Sequence, residues 1–259
     1  MPTARIQDLD VNYSLTGRAD GPAIVFSNSL GANLSMWDPQ MLEIEKQFRV
    51  LRCDTRGEGN TSVTPGPYTI EQLAGDVLRL IDHLGIERAH FCGLSMGGMI
   101  GMWLGLNAEK RLNKLVLSNT AAKIGKAEAW NARIENVRKG GMAAVSAAVC
   151  ERWFTPAFCA RSSEIFAGAQ RMIESMPPEG YVACCAAVRD FDARERVSQI
   201  RVPTLVITGN QDAATPAADG HWLADKIPGA RYVELNAAHI SNIEASEQFT
   251  SELIRFLSA

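Results

Sequence analysis

The chain of 259 residues fits one large α/β domain. At that length it buries about three-quarters of its unfolded surface and needs no disulfide or metal staple. Its 26 basic and 29 acidic residues give a net charge of −3, without the basic excess of a nucleic-acid binder, and no run approaches the roughly 18 apolar residues of a membrane-spanning helix.

The opening segment, Met1 to Asp10, lacks the basic-then-apolar order of a signal peptide. Buried strands are predicted at Ala23–Phe26 and Phe48–Cys53, both near-continuous apolar runs. Ile70, Leu73, Ala74, Val77, Leu78, Ile81 and Leu84 form one apolar stripe at helical spacing, with Gly85 as its C-cap. Strands follow at Ala89–Cys92 and Leu115–Leu117. From about Ala121 to Gln199 strand-like runs stop. Helical patterns over Glu128–Lys139, Gly141–Trp153 and Glu179–Asp190 take over, punctuated by Pro156, Pro177 and Pro178. Strands resume at Thr204–Ile207 and Tyr232–Leu235, and an amphipathic helix through Phe249, Leu253, Ile254 and Leu257 closes the chain. This order predicts an α/β fold, a mostly parallel central sheet with helices on both faces. Residues 1–120 and 200–259 form its core, and 121–199 form a helical cap, or lid, over the C-terminal edge of the sheet.

The six cysteines, Cys53, Cys92, Cys150, Cys159, Cys184 and Cys185, include no CxxC pair. They read as reduced thiols of a cytoplasmic protein, with no zinc spacing among them and the four histidines.

Chemistry concentrates in Gly93-Leu94-Ser95-Met96-Gly97-Gly98, set between a predicted strand and a helical run. That is the setting of a G-x-S-x-G nucleophile elbow. A serine hydroxyl needs a base and an orienting acid, which this kind of fold supplies later in the chain as Asp or Glu, then His. His239 is the histidine that follows a late strand in a loop; His83 ends a helix, His90 lies within a strand and His221 lies on a helix. Asp212, after the Thr204 strand and the turn Gly209-Asn210-Gln211, is the expected acid. The plainer alternatives are a turn aspartate and a helix N-cap, and the cap is weakened because Thr215 and Pro216 supply their own helix start. Two N–H donors are expected for an oxyanion hole: Met96, just after the nucleophile, and Leu30 in the loop Ser27-Asn28-Ser29-Leu30-Gly31.

With those residues in place the whole chain resembles the α/β-hydrolase fold family. Within it the chain looks like the 3-oxoadipate enol-lactonases of bacterial aromatic catabolism. The segments that carry the narrower resemblance are Ser27–Gly31, Asp54-Thr55-Arg56-Gly57, the elbow, Asn119-Thr120-Ala121-Ala122, Arg152-Trp153-Phe154 and His239-Ile240-Ser241-Asn242-Ile243-Glu244. Ser29 stands where many relatives have histidine. One departure is Glu58-Gly59, where Asp-x-Arg-Gly usually continues as His-Gly; it puts the packing beside the oxyanion loop in doubt. Some relatives carry a fused decarboxylase domain, which this chain is expected to lack.

The resemblance implies hydrolysis of a lactone through an acyl-enzyme, with water as co-substrate. No metal, organic cofactor, nucleic acid or membrane partner is expected. The implied substrate carries an acetate side chain. A buried carboxylate wants an arginine. Arg133 is the candidate, with Trp130 and Trp153 as apolar walls and Ser29 beside them; a solvated helix-face arginine is the alternative for Arg133. Arg56 reads as a loop brace. Three other functions share the triad: another carboxylesterase, a cofactor-free perhydrolase, and a ligand-binding receptor with little turnover.

Overall fold

The computed structural model describes residues 2–259. Among them, eight strands form one sheet: β1 (Thr3–Ile6), β2 (Leu9–Gly17), β3 (Ala23–Ser27), β4 (Arg49–Cys53), β5 (Ala89–Leu94), β6 (Leu112–Ser118), β7 (Thr204–Gly209) and β8 (Arg231–Leu235). Their spatial order is β1-β2-β4-β3-β5-β6-β7-β8. From β4 to β8 every pairing is parallel, whereas β1 and β2 pair antiparallel with each other and β2 with β4.

The six strands read from apolar runs are all present. The antiparallel pair β1–β2 was not anticipated. In β2, Leu9 and Val11 are buried between polar neighbours, so the strand has no continuous apolar run.

Helices α1 (Asp38–Ile44), α2 (Ile70–His83) and α3 (Met96–Asn107) precede β6. Of the α2 stripe, Ile70, Leu73, Ala74, Val77 and Ile81 are buried, Leu78 and Leu84 are half-buried, and Leu80, outside the predicted stripe, is buried as well; Thr69 caps the helix by accepting the Gln72 N–H. Each buried Leu or Ile stabilises the fold by about 1.5–3 kcal/mol relative to exposure. Five helices run between β6 and β7: α4 (Ala127–Gly140), α5 (Ala143–Trp153), α6 (Pro156–Arg161), α7 (Ser163–Glu174) and α8 (Pro178–Asp190). Pro156 and Pro178 begin α6 and α8, where the missing N–H costs nothing. The remaining helices are α9 (Ala217–Lys226), α10 (Ser241–Glu244) and α11 (Ser246–Ser258). Among the described residues no helix is long and apolar enough to cross a membrane.

The parallel register brings strand ends together. Ser27 lies opposite Gly93, Leu94 opposite Ser118, Ser118 opposite Ile207 and Gly209 opposite Leu235. The loops after β3, β5, β6, β7 and β8 therefore share one edge. Strand order reverses at β3, with β4 on one side and β5 on the other, and that crevice is where open α/β sheets place ligands.

Candidate active site

Ser95 joins β5 to α3 at φ 59° and ψ −113°, a conformation that costs a non-glycine residue about 1–3 kcal/mol. Neighbouring loops hold it there. The Ser95 N–H donates to Ser118 O at 2.9 Å, and the Gly97 N–H donates to Asn28 O at 3.0 Å. A β-carbon on Gly97 would lie 2.2 Å from Ser27 O, so the elbow and the β3 loop approach this closely only with glycine.

Within the β3 loop, the Ser29 N–H donates to Met36 Sδ and the Ala32 N–H to Ser29 O. The Gly31 N–H donates to Glu58 Oε1 at 2.6 Å. The Leu30 and Met96 N–H groups donate to no protein group among the described residues. Both donors are thus free, Leu30 on the cavity that Ser95 also lines and Met96 at the start of α3, where backbone N–H groups have no partner within the helix.

Asp212 Oδ2 and His239 Nδ1 lie 2.8 Å apart, both side chains buried. Asp212 accepts four further hydrogen bonds. The Ala214 and Thr215 N–H groups donate to Oδ1 at 2.7 and 2.9 Å, and Thr215 Oγ1 and Asn119 Nδ2 donate to Oδ2 at 2.7 and 3.0 Å. Burial alone would raise the Asp212 pKa, but the His239 charge and hydrogen bond, with Thr215 and Asn119, hold it at about 2. With Nδ1 held by the carboxylate, Nε2 has no protein partner among the described residues and is the ring nitrogen free to accept a proton. The Ser95 hydroxyl forms no hydrogen bond with this ring among the described contacts; such pairings tighten as substrate binds.

Segments quoted above only for resemblance turn out to be the frame of the site. Asn119 sits in the left-handed region at φ 43° and also donates to Ala238 O, beside His239. Ser241 Oγ donates to Asn119 Oδ1 at 2.6 Å, and Thr120 Oγ1 donates to Ser95 O at 2.8 Å. Glu244 accepts the Ala238 N–H at 2.9 Å and the Thr155 N–H and hydroxyl, while the Ile240 N–H donates to Trp153 O at 3.0 Å. The histidine loop is thereby tied to the end of α5.

A cavity of about 230 Å³ opens over these groups, lined by Ser29, Leu30, Ser95, Trp130, Arg133, Arg152, Trp153 and His239 among others. Arg133 lies 4.6 Å from the centroid of the Trp130 ring. Sequence reasoning missed Arg152, although it adjoins Trp153. Burial and the neighbouring Arg133 lower the Arg152 pKa, and neither arginine is in an ion pair among the described residues. Two half-buried arginines on one cavity give its lining a positive charge. A larger hollow of about 760 Å³ between α4 and α8 is lined by none of Ser95, Asp212 and His239.

The remaining candidates fall outside this cavity. Arg56 forms a two-pronged ion pair with Asp76, both contacts 2.7 Å, and braces its loop. His90 is pushed down to about 4 by burial, and His221 stacks on Tyr232. All six cysteines are free thiols. The described residues contain no group of three or more His, Cys, Asp or Glu able to hold a metal ion.

Comparison with known proteins agrees with this architecture. A family model described as alpha/beta hydrolase fold matches residues 22–246. A protein of Acinetobacter baylyi named 3-oxoadipate enol-lactonase 2 is 44% identical over 95% of this chain and 92% of its own length. A second from the same organism, 3-oxoadipate enol-lactonase 1, is 39% identical over 94% and 91%. The crystal structure of the enol-lactonase from Burkholderia xenovorans superposes with a TM-score of 0.98 at 46% identity, covering all of both chains. Strand order, elbow and sequence agree, and the chain belongs to the α/β-hydrolase fold family.

Proposed function

We propose that the protein opens the ring of 3-oxoadipate enol-lactone to give 3-oxoadipate, with Ser95 as nucleophile, His239 as base and Asp212 as its orienting acid. The named activity of the relatives supports this reading. The observation that carries it is the pair of unpaired arginines, Arg133 and Arg152, in the cavity that holds Ser95 and His239. A neutral ester gives no reason to keep two cations there. A lactone bearing a carboxylate does.

In the proposed sequence, His239 Nε2 takes the Ser95 proton as Oγ attacks the lactone carbonyl. The Leu30 and Met96 N–H groups receive the developing oxyanion; a single donor of this kind contributes about 3–4 kcal/mol. The ring C–O bond then breaks. Its oxygen leaves as an enolate, a better leaving group than an alkoxide, and is protonated by His239. Water, deprotonated by the same ring, releases the acyl group from Ser95. Every step uses the chain's own groups. Trp130 and Trp153 wall the ring, Ser29 lines the cavity, and the 121–199 insertion caps it. Six unpaired thiols fit a cytoplasmic setting.

The test is hydrolysis of freshly generated 3-oxoadipate enol-lactone by wild type and Ser95→Ala. Rapid loss of its ultraviolet absorbance with wild type, lowered by several orders of magnitude in the variant, is the expected result. Undiminished turnover by Ser95→Ala would refute the mechanism, and cleavage of aryl esters without lactone turnover would refute the substrate.

A further inference from the structure

Glu58 occupies a position that the mechanism does not use. Its residue is fully buried in the turn after β4, and one carboxyl oxygen accepts the Gly31 N–H. The other, Oε2, is buried with no hydrogen-bond partner, as is the nearby Tyr181 hydroxyl. Helix α8 closes over this turn. A β-carbon on Gly180 would lie 1.9 Å from Gly57 O, the Cys184 thiol donates to Arg56 O, and the Tyr181 ring packs against Gly31.

We infer that Glu58 is a positioning residue for the oxyanion loop: by accepting the Gly31 N–H it fixes the peptide that follows Leu30, and its protonation state modulates turnover. The inference rests on the oxyanion assignment proposed above. Leu30 and Gly31 share a peptide bond, so holding the Gly31 N–H limits rotation of the segment that presents the Leu30 donor. The geometry also argues for the neutral acid. A carboxylate here would leave a buried charge with one neutral donor and an unpartnered oxygen. It would also set a negative charge one residue from the place where the oxyanion develops.

The surroundings agree. Burial, opposed by the Gly31 N–H and reinforced by the Asp54 charge, pushes the Glu58 carboxyl up to about 8. On its own loop it also has Arg56, which is committed to Asp76 of α2 and to Asp8. From α8 it faces Tyr181, Cys184 and Cys185, and Arg133 of α4 bears on Tyr181 and Cys185 from beyond. Burial raises all three α8 groups above their ordinary values, Cys185 to about 12, so none of them titrates near pH 8. The oxyanion loop itself, 28–32, carries no titratable side chain.

The experiment follows p-nitrophenyl acetate and enol-lactone hydrolysis from pH 6 to 9.5 by wild type, Glu58→Gln, Glu58→Ala and Ser95→Ala. Wild-type kcat should fall above about pH 8, following the raised Glu58 carboxyl. Glu58→Gln, whose amide oxygen still accepts the Gly31 N–H, should match wild type at pH 7 within about threefold and lose the alkaline fall. Glu58→Ala should lose about tenfold or more in kcat with KM little changed, a fraction of the loss from deleting a donor outright. An identical alkaline fall in wild type and Glu58→Gln overturns the inference, and this comparison decides even if Glu58→Ala does not fold. Wild-type kcat in a folded Glu58→Ala overturns it too. Turnover by Ser95→Ala would overturn the reading of the site and this inference with it; an inactive Ser95→Ala beside unaltered Glu58 variants would overturn this inference alone.

Discussion

Asn119 Nδ2 and His239 Nδ1 meet on the same oxygen of Asp212, at 3.0 and 2.8 Å. The amide therefore helps to choose which way the carboxylate faces, and the left-handed backbone of Asn119 is what aims it. Asn119→Gly keeps that backbone free of strain and removes the amide. A hydrogen bond to a charged group is worth about 1.5–3 kcal/mol, so kcat should drop roughly 10- to 100-fold with KM nearly constant. Steady-state kinetics on the lactone checks this, and an unchanged kcat would show that His239 and Thr215 suffice to orient the acid.

The Asp212 carboxyl is held at about 2, below its usual value near 3.9. A depressed acid contributes stability that is complete above its unfolded pKa and declines as pH falls towards the folded one. The contribution is on the order of 2 kcal/mol at neutral pH, and about half should be gone by pH 3. Urea midpoints of wild type and Asp212→Asn should thus differ by a fixed amount from pH 7 to 5 and converge below about pH 4. A gap unchanged at pH 3 would contradict the assignment. The same variant should lose about 10⁴ in kcat, the cost of this exchange in a serine protease triad.

Arg133→Ala and Arg152→Ala should each raise KM for the anionic lactone about 10- to 100-fold, the range for losing a charge-assisted contact. A neutral aryl acetate should be hydrolysed nearly as before by both. If both substrates suffer equally, the arginines support the fold of α4 and α5 and do not bind the carboxylate.

Glu244 bridges the histidine loop to the end of α5 through Ala238 and Thr155. Glu244→Ala leaves those buried donors unmatched, at about 1–3 kcal/mol. Each kcal/mol corresponds to about 2–4 °C in Tm for a chain of this size. A calorimetric Tm lowered by several degrees, with kcat reduced alongside, is expected; an unshifted Tm would mean that the bridge is redundant.

The core strands were legible because parallel strands covered on both faces read as apolar runs, as in Ala23–Phe26 and Thr204–Ile207. The proposed nucleophile, acid and base each follow such a strand, which is why the sequence singles out Ser95, Asp212 and His239; the structure puts Asp212 and His239 2.8 Å apart. β2 was not legible, since its buried residues alternate with polar ones. Helix α7 was missed although Phe166, Ala169, Met172 and Ile173 keep helical spacing; its exposed Ile165 blurs the stripe. Arg152 could have been suspected from Trp153 beside it, but whether an arginine enters a cavity depends on how helices pack. The partner of Glu58 was beyond reach, because Gly31 offers only its backbone.

The contact between Gly57 and Gly180 bears on how such an enzyme can be diversified. Main chain meets main chain there, with no room for a side chain on either partner. A helical insert grafted from another family member would seat only if it brought a glycine to that point. It would also need a backbone N–H and a hydroxyl for Glu244 and a carbonyl for the Ile240 N–H. New substrate ranges are therefore more accessible by point changes at Trp130, Arg133 and Arg152 than by exchanging the insert as a cassette.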